Sequence, residues 1–415
     1  MLVEASNMEE QGQSKVNINL GEFIYRPKAE MLAVAPKEKT LLIGMPKETR
    51  MNENRLSLVP SSVKILVDAG HRVLVESGSG LRANYQDIEF SEAGAEIVFN
   101  KEEAFRANIV LKVEPPTVEE LDLFNAGQIL ISPLQLPIIS KEFLLKLKEK
   151  QVTALAMEYI QARDGSFPFV RILSELAGMN AVITASELLA KTNEGRGVLL
   201  GGITGVPPAK VVILGAGVVA EFAIRAALGL GATIRILDNN IHKLMRLQNR
   251  MGSVLHTSAI HPAYLKHQLK TADVVIGAIH SKSGRTPMII SEDMVMQMKQ
   301  GAVIIDVSID QGGCCETSEV TTLAHPTFVK HGVVHYCVPN MASKYPRTAS
   351  LALSNIITPI LLDMGLQHDL ERLLFHNRGL RNGVYCYNGC LTNENLSRQF
   401  DLRYTNLDLL LTSQR

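Results

Sequence analysis

Residues 211–238, VVILGAGVVAEFAIRAALGLGATIRILD, constrain the fold of this chain more than any other segment. The segment has the pattern of an apolar strand, a glycine turn, a helix over 218–230 and a second strand that ends on an acid. A buried strand joined through a helix to a parallel neighbour is the repeating unit of doubly wound α/β sheets. We therefore expect such a sheet around this segment.

The turn in this segment has the residues that a dinucleotide site needs. Gly215 permits a tight turn, Gly217 lets the backbone approach a pyrophosphate, and Ala220 allows close packing of the helix on the strand. Asp238 follows Gly217 by about 20 residues, where a carboxylate can accept hydrogen bonds from the adenosine ribose. A glycine-rich turn in an ordinary α/β unit is the alternative, but it does not explain this acid. Asp238 also favours NAD over NADP, because a 2′-phosphate beside it would meet like charge.

Charge and cysteine usage narrow the class of protein. Lys+Arg 42 against Asp+Glu 42 leaves no net charge, so neither nucleic acid nor an anionic membrane is expected as the main partner. The 5 cysteines match no zinc spacing, so we predict reduced thiols and no metal site. The N-terminus lacks the pattern of a signal peptide, and no apolar run reaches about 18 residues. These features predict a cytoplasmic protein without a membrane segment of its own.

Strands and helices alternate from residue 41 onwards, which predicts two Rossmann-like, doubly wound α/β domains with an active-site cleft between them. Residues 1–40 are polar and are predicted to be an N-terminal extension. We expect a discontinuous substrate domain over 41–170 and 347–415, and an NAD-binding domain over 171–346. A helix over 348–366 is predicted to return the chain to the substrate domain.

Several segments together resemble the alanine dehydrogenase family, which is related to the nucleotide-binding part of proton-pumping transhydrogenases. The resemblance spans roughly residues 42–400, in the same order and with similar spacing. The matching segments include GMPKETRMNENRLSLVP (44–60), VESGSG (75–80), SELAG (174–178), GRGVLLGGITGVPPAKVVILGAGVV (195–219), DVSIDQGGCCE (306–316), HPTFVKHGVVHYCVPNM (325–341) and GCLTNENL (389–396).

Two features favour the dehydrogenase branch of this resemblance. Asp310 lies in the IDQGG segment, where the transhydrogenase pattern has no such acid, and the GCLTNENL ending is typical of the dehydrogenases. The resemblance implies hydride transfer from the α-carbon of L-alanine to NAD, giving pyruvate and ammonia. It also implies a small amino or 2-oxo acid as the partner, and a homo-oligomer, often a hexamer.

The resemblance assigns substrate-side roles to three residues. Arg55 matches the arginine that grips the substrate carboxylate, although a surface pair with Glu53 is the alternative. Asp310 matches an acid near substrate and cofactor, and its alternative role is to cap the turn before Gly312. Asn340 matches a residue near the nicotinamide and substrate.

Four further residues are expected at the cofactor. Ser174 matches a serine that hydrogen-bonds it, and Ile279 lies in the GAIHSKSGR loop at its nicotinamide end. Met341 matches a residue near the nicotinamide, with core packing as the alternative. Lys243 is placed to flank the adenine ribose, unless it is a solvated helix residue.

Two positions depart from the dehydrogenase pattern. Glu114, in VLKVEPP, replaces a lysine that polarises the substrate carbonyl, and Gln135, in ISPLQLP, replaces the catalytic histidine. Glutamine does not titrate near neutral pH, and a glutamate brings negative charge where the family has positive charge. Lys112 is expected to share a strand face with Glu114 and to pair with it.

The sequence offers two candidate substitutes for the lysine and histidine that this chain lacks. His280, in the GAIHSKSGR loop, is a candidate acid–base residue with a solvated loop position as the alternative, and Arg171 is a candidate compensating cation. Two other functions therefore remain open. One is a soluble nucleotide-binding subunit of a transhydrogenase-like assembly, whose family also lacks the lysine and histidine. The other is a non-catalytic NAD-binding sensor.

Overall fold

The computed structural model describes residues 40–136, 138–281, 284–367 and 370–413. All of these residues belong to one compact unit. The predicted N-terminal extension, residues 1–40, lies outside the described residues except for its last position.

The first sheet has eight strands within the described residues, in the order β15-β14-β6-β5-β4-β1-β2-β3. Its six N-terminal strands are parallel to their neighbours, and β14 is antiparallel to both β6 and β15. The strands are β1 Leu42–Met45, β2 Arg72–Glu76, β3 Glu96–Val98, β4 Ile109–Leu111, β5 Ile129–Ser132, β6 Thr153–Ala156, β14 Val384–Tyr387 and β15 Cys390–Leu391.

The second sheet has seven strands within the described residues, in the order β12-β13-β11-β10-β7-β8-β9. Its pairs are parallel except for β12 with β13. The strands are β7 Lys210–Leu214, β8 Thr233–Leu237, β9 Thr257–Ser258, β10 Val274–Gly277, β11 Val303–Asp306, β12 Thr327–Lys330 and β13 Val333–Tyr336.

Helices connect the parallel strands of both sheets, which confirms the predicted α/β class. They are α1 Pro60–Asp68, α2 Asp87–Glu92, α3 Lys101–Phe105, α4 Val118–Leu121, α5 Lys141–Glu149, α6 Pro168–Leu188, α7 Val218–Gly229, α8 Ile241–Met251, α9 Pro262–Thr271, α10 Glu292–Met296, α11 Pro346–Leu366, α12 Leu370–His376, α13 Arg378–Arg381, α14 Glu394–Phe400 and α15 Leu407–Ser413.

Strand order reverses once in each sheet, between β1 and β4 and between β7 and β10. In open α/β sheets, ligands bind beyond the carboxyl ends of the strands at such a reversal. The loops after β1, β4 and β5 and those after β7, β8, β10 and β11 therefore carry the residues most relevant to function.

Helix α11 returns the chain from the second sheet to the first. Pro346 starts it, where a missing backbone N–H costs nothing, and Leu353, Ile357 and Leu361 are buried in the core of the first sheet. The length and apolar composition of α11 would allow it to cross a membrane, but half of its apolar stretch is buried in the fold. That burial is what a core helix shows.

Candidate functional site

The glycine turn after β7 uses its two glycines for different purposes. Gly215 has φ +109°, and a Cβ there would lie 2.3 Å from the carbonyl oxygen of Ala278 at the end of β10. Gly217 has φ −83° and precedes α7, and a Cβ on it would meet no described atom within 4 Å. Gly215 is therefore required by the packing of the two central strands, whereas Gly217 leaves open space in front of a helix N-terminus. Ala220 is fully buried in α7, as close helix packing requires.

Asp238, at the end of β8, is a structural acid of this turn as well as a candidate ribose ligand. Its Oδ2 accepts a hydrogen bond from the backbone N–H of Ala216 (2.8 Å), and its Oδ1 accepts one from Asn240 (2.7 Å). Each carboxylate oxygen has a further lone pair, so both bonds are compatible with a ligand hydroxyl. The acid thus fixes the glycine turn to the adjacent strand.

Replacing Asp238 with alanine is expected to weaken NADH binding by about 1.5–3 kcal/mol, the usual loss for a hydrogen bond to a charged group. Titration of NADH fluorescence would measure it. Asp293→Ala, which removes an exposed acid from α10, is the matched control and should bind NADH like the unchanged protein. Equal affinity in the two variants would contradict the ribose assignment.

The other predicted cofactor residues lie on several elements. Ser174 on α6 and Lys243 on α8 are half-buried, and the backbone N–H of Ile279 donates to Ser308 Oγ (3.0 Å). The side chain of Met341 is buried in the core of the second sheet, and its carbonyl accepts from Asn180 Nδ2 (3.0 Å). The core-packing alternative therefore describes the Met341 side chain, and cofactor contact at these positions stays a prediction.

Arg55 and Glu53, in the loop after β1, form a buried bidentate ion pair. Arg55 Nε lies 2.8 Å from Glu53 Oε1, and Arg55 Nη2 lies 2.6 Å from Glu53 Oε2. Arg55 is 4% exposed and Glu53 0%, so the alternative of a surface pair is wrong. Burial opposes ionisation of Glu53, but the Arg55 guanidinium outweighs it and lowers the pKa of that carboxyl.

Asn340 joins this pair to the loop after β11. Its backbone has φ 54° and ψ 48°, a left-handed conformation that asparagine tolerates better than most residues. Its Nδ2 donates to Glu53 Oε2 (2.8 Å), and its backbone N–H donates to Asp310 Oδ1 (2.9 Å). The structure therefore brings Arg55, Asp310 and Asn340 together, as their predicted roles require.

Asp310 does not cap the glycine turn that follows it. That turn is held by Asp306, whose carboxylate accepts from the backbone N–H groups of Ser308 and Cys314, each at 3.0 Å. Asp310 instead remains accessible to solvent beside Asn340, and partial desolvation raises the pKa of its carboxyl. Its capping alternative is therefore wrong.

Glu114 lies in the loop after β4 and is 8% exposed. Its Oε2 is 3.2 Å from Arg50 Nε. Burial, followed by the negative charge of Glu53, raises the pKa of Glu114 to about 7, against the opposing effect of Arg50.

The expected pairing of Lys112 with Glu114 is wrong. Lys112 Nζ lies 3.1 Å from Glu48 Oε2 and 3.3 Å from Glu120 Oε2. The reason is that β4 ends at Leu111, so the alternation of a strand does not continue to Glu114.

Gln135 lies in the loop after β5 and has φ 50°. Its backbone N–H donates to Glu158 Oε1 (3.0 Å), and the same carboxylate accepts from Leu134 N (2.9 Å). Glu158 therefore fixes the loop that carries Gln135. The proposed substitute Arg171 is exposed in part and pairs with Glu175 one helical turn away (2.9 Å), and His280 is exposed.

Sequence reasoning missed three residues of this site: Glu48, Arg50 and Glu158. Glu48 and Arg50 follow the buried strand β1 within the segment that resembles the family, and that position was a usable signal. Nothing local marks Glu158, because its role depends on its contact with Gln135 in a different loop.

Comparisons with known proteins agree with this arrangement. Residues 44–177 match the family model described as the alanine dehydrogenase/PNT N-terminal domain, and residues 181–394 match its C-terminal domain. Alanine dehydrogenase 2 of Staphylococcus aureus (strain USA300) is 40% identical over 368 residues, which cover 88% of this chain and 98% of that protein.

Two solved structures are also similar. An L-alanine dehydrogenase is 36% identical with a TM-score of 0.82, over 87% of this chain and 99% of the other. A transhydrogenase from Sinorhizobium meliloti is 25% identical with a TM-score of 0.72, over 85% and 99%. The matches cover both sheets and nearly the whole length of these relatives. The chain therefore belongs to the alanine dehydrogenase/PNT family.

Proposed function

We propose that this chain catalyses the NAD-dependent interconversion of a small L-amino acid, with alanine as the first candidate, and the corresponding 2-oxo acid plus ammonia. The observation that carries the proposal is the continuous set of contacts from Arg55 through Glu53 and Asn340 to Asp310. It joins a carboxylate-binding guanidinium to an acid in the loop after β11. The family is one of oxidoreductases that use NAD, and its dehydrogenase members supply the substrate class.

The residues after β7 and β8 fit the cofactor. The space in front of Gly217 and the N-terminus of α7 suit a pyrophosphate, and Asp238 suits the ribose. Gly215, Ala220, Ser174, Ile279, Lys243 and Met341 are the other residues proposed to shape or contact the site. When bound, NAD would accept the hydride from the α-carbon of the amino acid.

On the substrate side, Arg55 is the proposed ligand of the substrate carboxylate. The bonds to Glu53 use two of the five guanidinium N–H donors, so others can serve a second planar anion. Asn340 positions Asp310 through its backbone N–H, and Asp310 would orient the amino group of the substrate. Gln135 can hydrogen-bond a carbonyl or a water, but it cannot exchange a proton near neutral pH.

The test is consumption of NADH by the full-length protein with ammonia and pyruvate, followed by a panel of larger 2-oxo acids. Turnover that is lost in Arg55→Ala but kept in Arg72→Ala would support the proposal, because Arg72 is an exposed arginine outside the contact set. If no 2-oxo acid is turned over while NADH binding is intact, the proposal is wrong.

A hydride carrier of the transhydrogenase type is the second candidate. It is favoured by the pairing of the cations near the predicted substrate position with carboxylates: Arg55 with Glu53, Arg50 with Glu114, and Lys112 with Glu48. Hydride exchange between NADH and an oxidised NAD analogue, without any 2-oxo acid, would support this candidate.

A further inference from the structure

Glu114 combines burial with an unusual absence of hydrogen bonding. Its residue is 8% exposed, and its Oε2 is buried yet accepts no hydrogen bond from any residue that the structure describes. The nearest cation, Arg50, is an ion-pair partner at 3.2 Å without hydrogen-bond geometry. A buried carboxyl oxygen without such a bond carries a desolvation cost, which either a proton or a ligand would relieve.

The charged groups that face Glu114 come from the loop after β1. Glu53 and Glu48 bring negative charge, and Arg50 and Arg55 bring positive charge. Glu48 Oε2 is likewise buried without a hydrogen bond, but Glu48 Oε1 accepts from Val113 N (2.7 Å), and Glu48 pairs with the buried Lys112. Glu53 is committed to Arg55 and Asn340. Of these three carboxyls, Glu114 is therefore the one that accepts no hydrogen bond from a residue that the structure describes.

The position of Glu114 in the fold places it near the proposed substrate-binding residues. Glu114 follows the carboxyl end of β4, next to the strand-order reversal of the first sheet, and lies near enough to Arg55 to interact electrostatically. Its pKa of about 7 leaves it protonated in part at neutral pH. A protonated carboxyl is a neutral hydrogen-bond donor, so it does not repel a substrate carboxylate as an ionised one would.

On the basis of the proposed function, we propose that Glu114 is the acid–base residue of the reaction, giving a proton to the carbonyl oxygen of the 2-oxo acid during amination and taking it back in the reverse direction. Gln135 would then only orient the substrate. The roles of the family's lysine and histidine would then both be taken by the carboxyl of Glu114, and Arg50 and Arg55 would supply the positive charge.

The proton balance of amination follows from this role. Ammonia adds to the carbonyl carbon, the carbonyl π electrons move to oxygen, and Glu114 protonates that oxygen. The new ammonium group returns a proton to Glu114, which then protonates the hydroxyl. The C–O bond breaks, water leaves and an iminium forms. When bound, NADH would supply the hydride that the iminium carbon needs, and solvent supplies one proton to the product amine and one to Glu114.

The direction of the pH dependence is fixed by this assignment. Amination needs protonated Glu114, so the kcat/KM of amination should fall as the pH rises through about 7. Oxidation of the amino acid needs ionised Glu114, so the kcat/KM of oxidation should rise over the same range. Because burial raises the pKa of Glu114 above its unfolded value, the fold loses stability as the pH rises from that value to about 7, and the loss is complete above this range. Removal of Glu114 should therefore raise Tm more at pH 8 than at pH 5.

Glu114→Gln in the full-length protein is the test, measured as the pH profile of NADH consumption with pyruvate and ammonia. We expect kcat to fall about 10²–10⁴-fold and the limb near pH 7 to disappear, with NADH affinity unchanged. Glu114→Asp shortens the side chain but keeps the carboxyl, so it should lose rate and retain the limb. Glu119→Gln, at an exposed glutamate in α4, is the matched control and should keep both rate and profile.

The experiment distinguishes failure of the acid–base role from failure of the proposed function. A Glu114→Gln variant that keeps the rate within about threefold, or that keeps the pH limb, would overturn the acid–base role while leaving the proposed function intact. Absence of turnover by the unchanged protein, with NADH bound, would overturn both. If the glutamine variant does not fold, the aspartate variant decides, because loss of its pH limb would also contradict the assignment.

Discussion

Gly215→Ala is expected to destabilise the second sheet severely, whereas Gly217→Ala two residues away is expected to leave it intact and weaken cofactor binding. At Gly215 a methyl group would meet the Ala278 carbonyl oxygen at 2.3 Å, in a backbone with φ +109° that alanine rarely adopts. The clash is with backbone of the neighbouring central strand, so no side-chain rotation relieves it. We expect a loss on the order of 4 kcal/mol or more, among the largest for single substitutions.

Gly217→Ala differs because its backbone suits any residue and its Cβ meets no described atom within 4 Å. The cost to stability should be under about 1 kcal/mol, the scale of a changed helix N-cap. The methyl group would nevertheless occupy the space through which a pyrophosphate approaches the backbone, so NADH affinity should fall about tenfold or more.

Thermal unfolding and NADH fluorescence titration of both variants separate the two roles. A stable Gly215→Ala protein would show that β10 can move away from the turn, which the packing argues against. A Gly217→Ala protein that binds NADH with full affinity would mean that the pyrophosphate does not approach this turn.

This turn also shows how far the sequence could predict the molecule. The unit of residues 211–238 was recognisable because it is local: strand periodicity, glycines and the terminal acid lie within one short segment. The structural role of Asp238 could not be recognised in this way, because it depends on a hydrogen bond from Ala216, which lies in the turn after a different strand. Likewise Asn340 meets Glu53 across 287 residues, and only the resemblance to a family suggested that the two regions meet.

The region around Glu114 shows a second limit of prediction from the sequence. Alternation along a strand predicted a pair between Lys112 and Glu114, but the strand ends at Leu111 and the loop turns the lysine toward Glu48 and Glu120. One residue at a strand end decides which face a side chain takes, and strand ends are set by tertiary packing. The resemblance to the family drew attention to positions 114 and 135, but the burial that raises the pKa of Glu114 to about 7 could not be predicted from the sequence.

Arg55→Ala is expected to be the second large loss, about 3–5 kcal/mol of stability, together with loss of substrate turnover. The substitution leaves Glu53 buried and charged without its bidentate partner, and breaking a buried pair from one side costs far more than the pair itself contributes. Glu53 would then keep two neutral donors, the backbone N–H of residue 55 (2.9 Å) and the Asn340 amide (2.8 Å), and no cation in bidentate contact.

The exposed pair of Arg72 and Glu96 provides a control with the same chemistry. Its guanidinium and carboxylate are also bidentate, at 2.7 and 2.9 Å, but both side chains are about half exposed. Arg72→Ala should therefore change the unfolding midpoint much less than Arg55→Ala, because solvent screens the charge that remains. Comparable shifts for the two variants would show that burial of Glu53 is relieved by rearrangement.

The sign of the pH dependence provides a further check on the same pair. Arg55 lowers the pKa of Glu53 below its unfolded value, so the ionised pair stabilises the fold above that value, and this contribution is lost as the pH falls through the lowered pKa. The Arg55→Ala variant should therefore differ most from the unchanged protein at neutral pH and least in acid, where Glu53 is protonated in the variant. A difference in unfolding midpoint that grows toward low pH would mean that Glu53 is not the carboxylate that Arg55 stabilises.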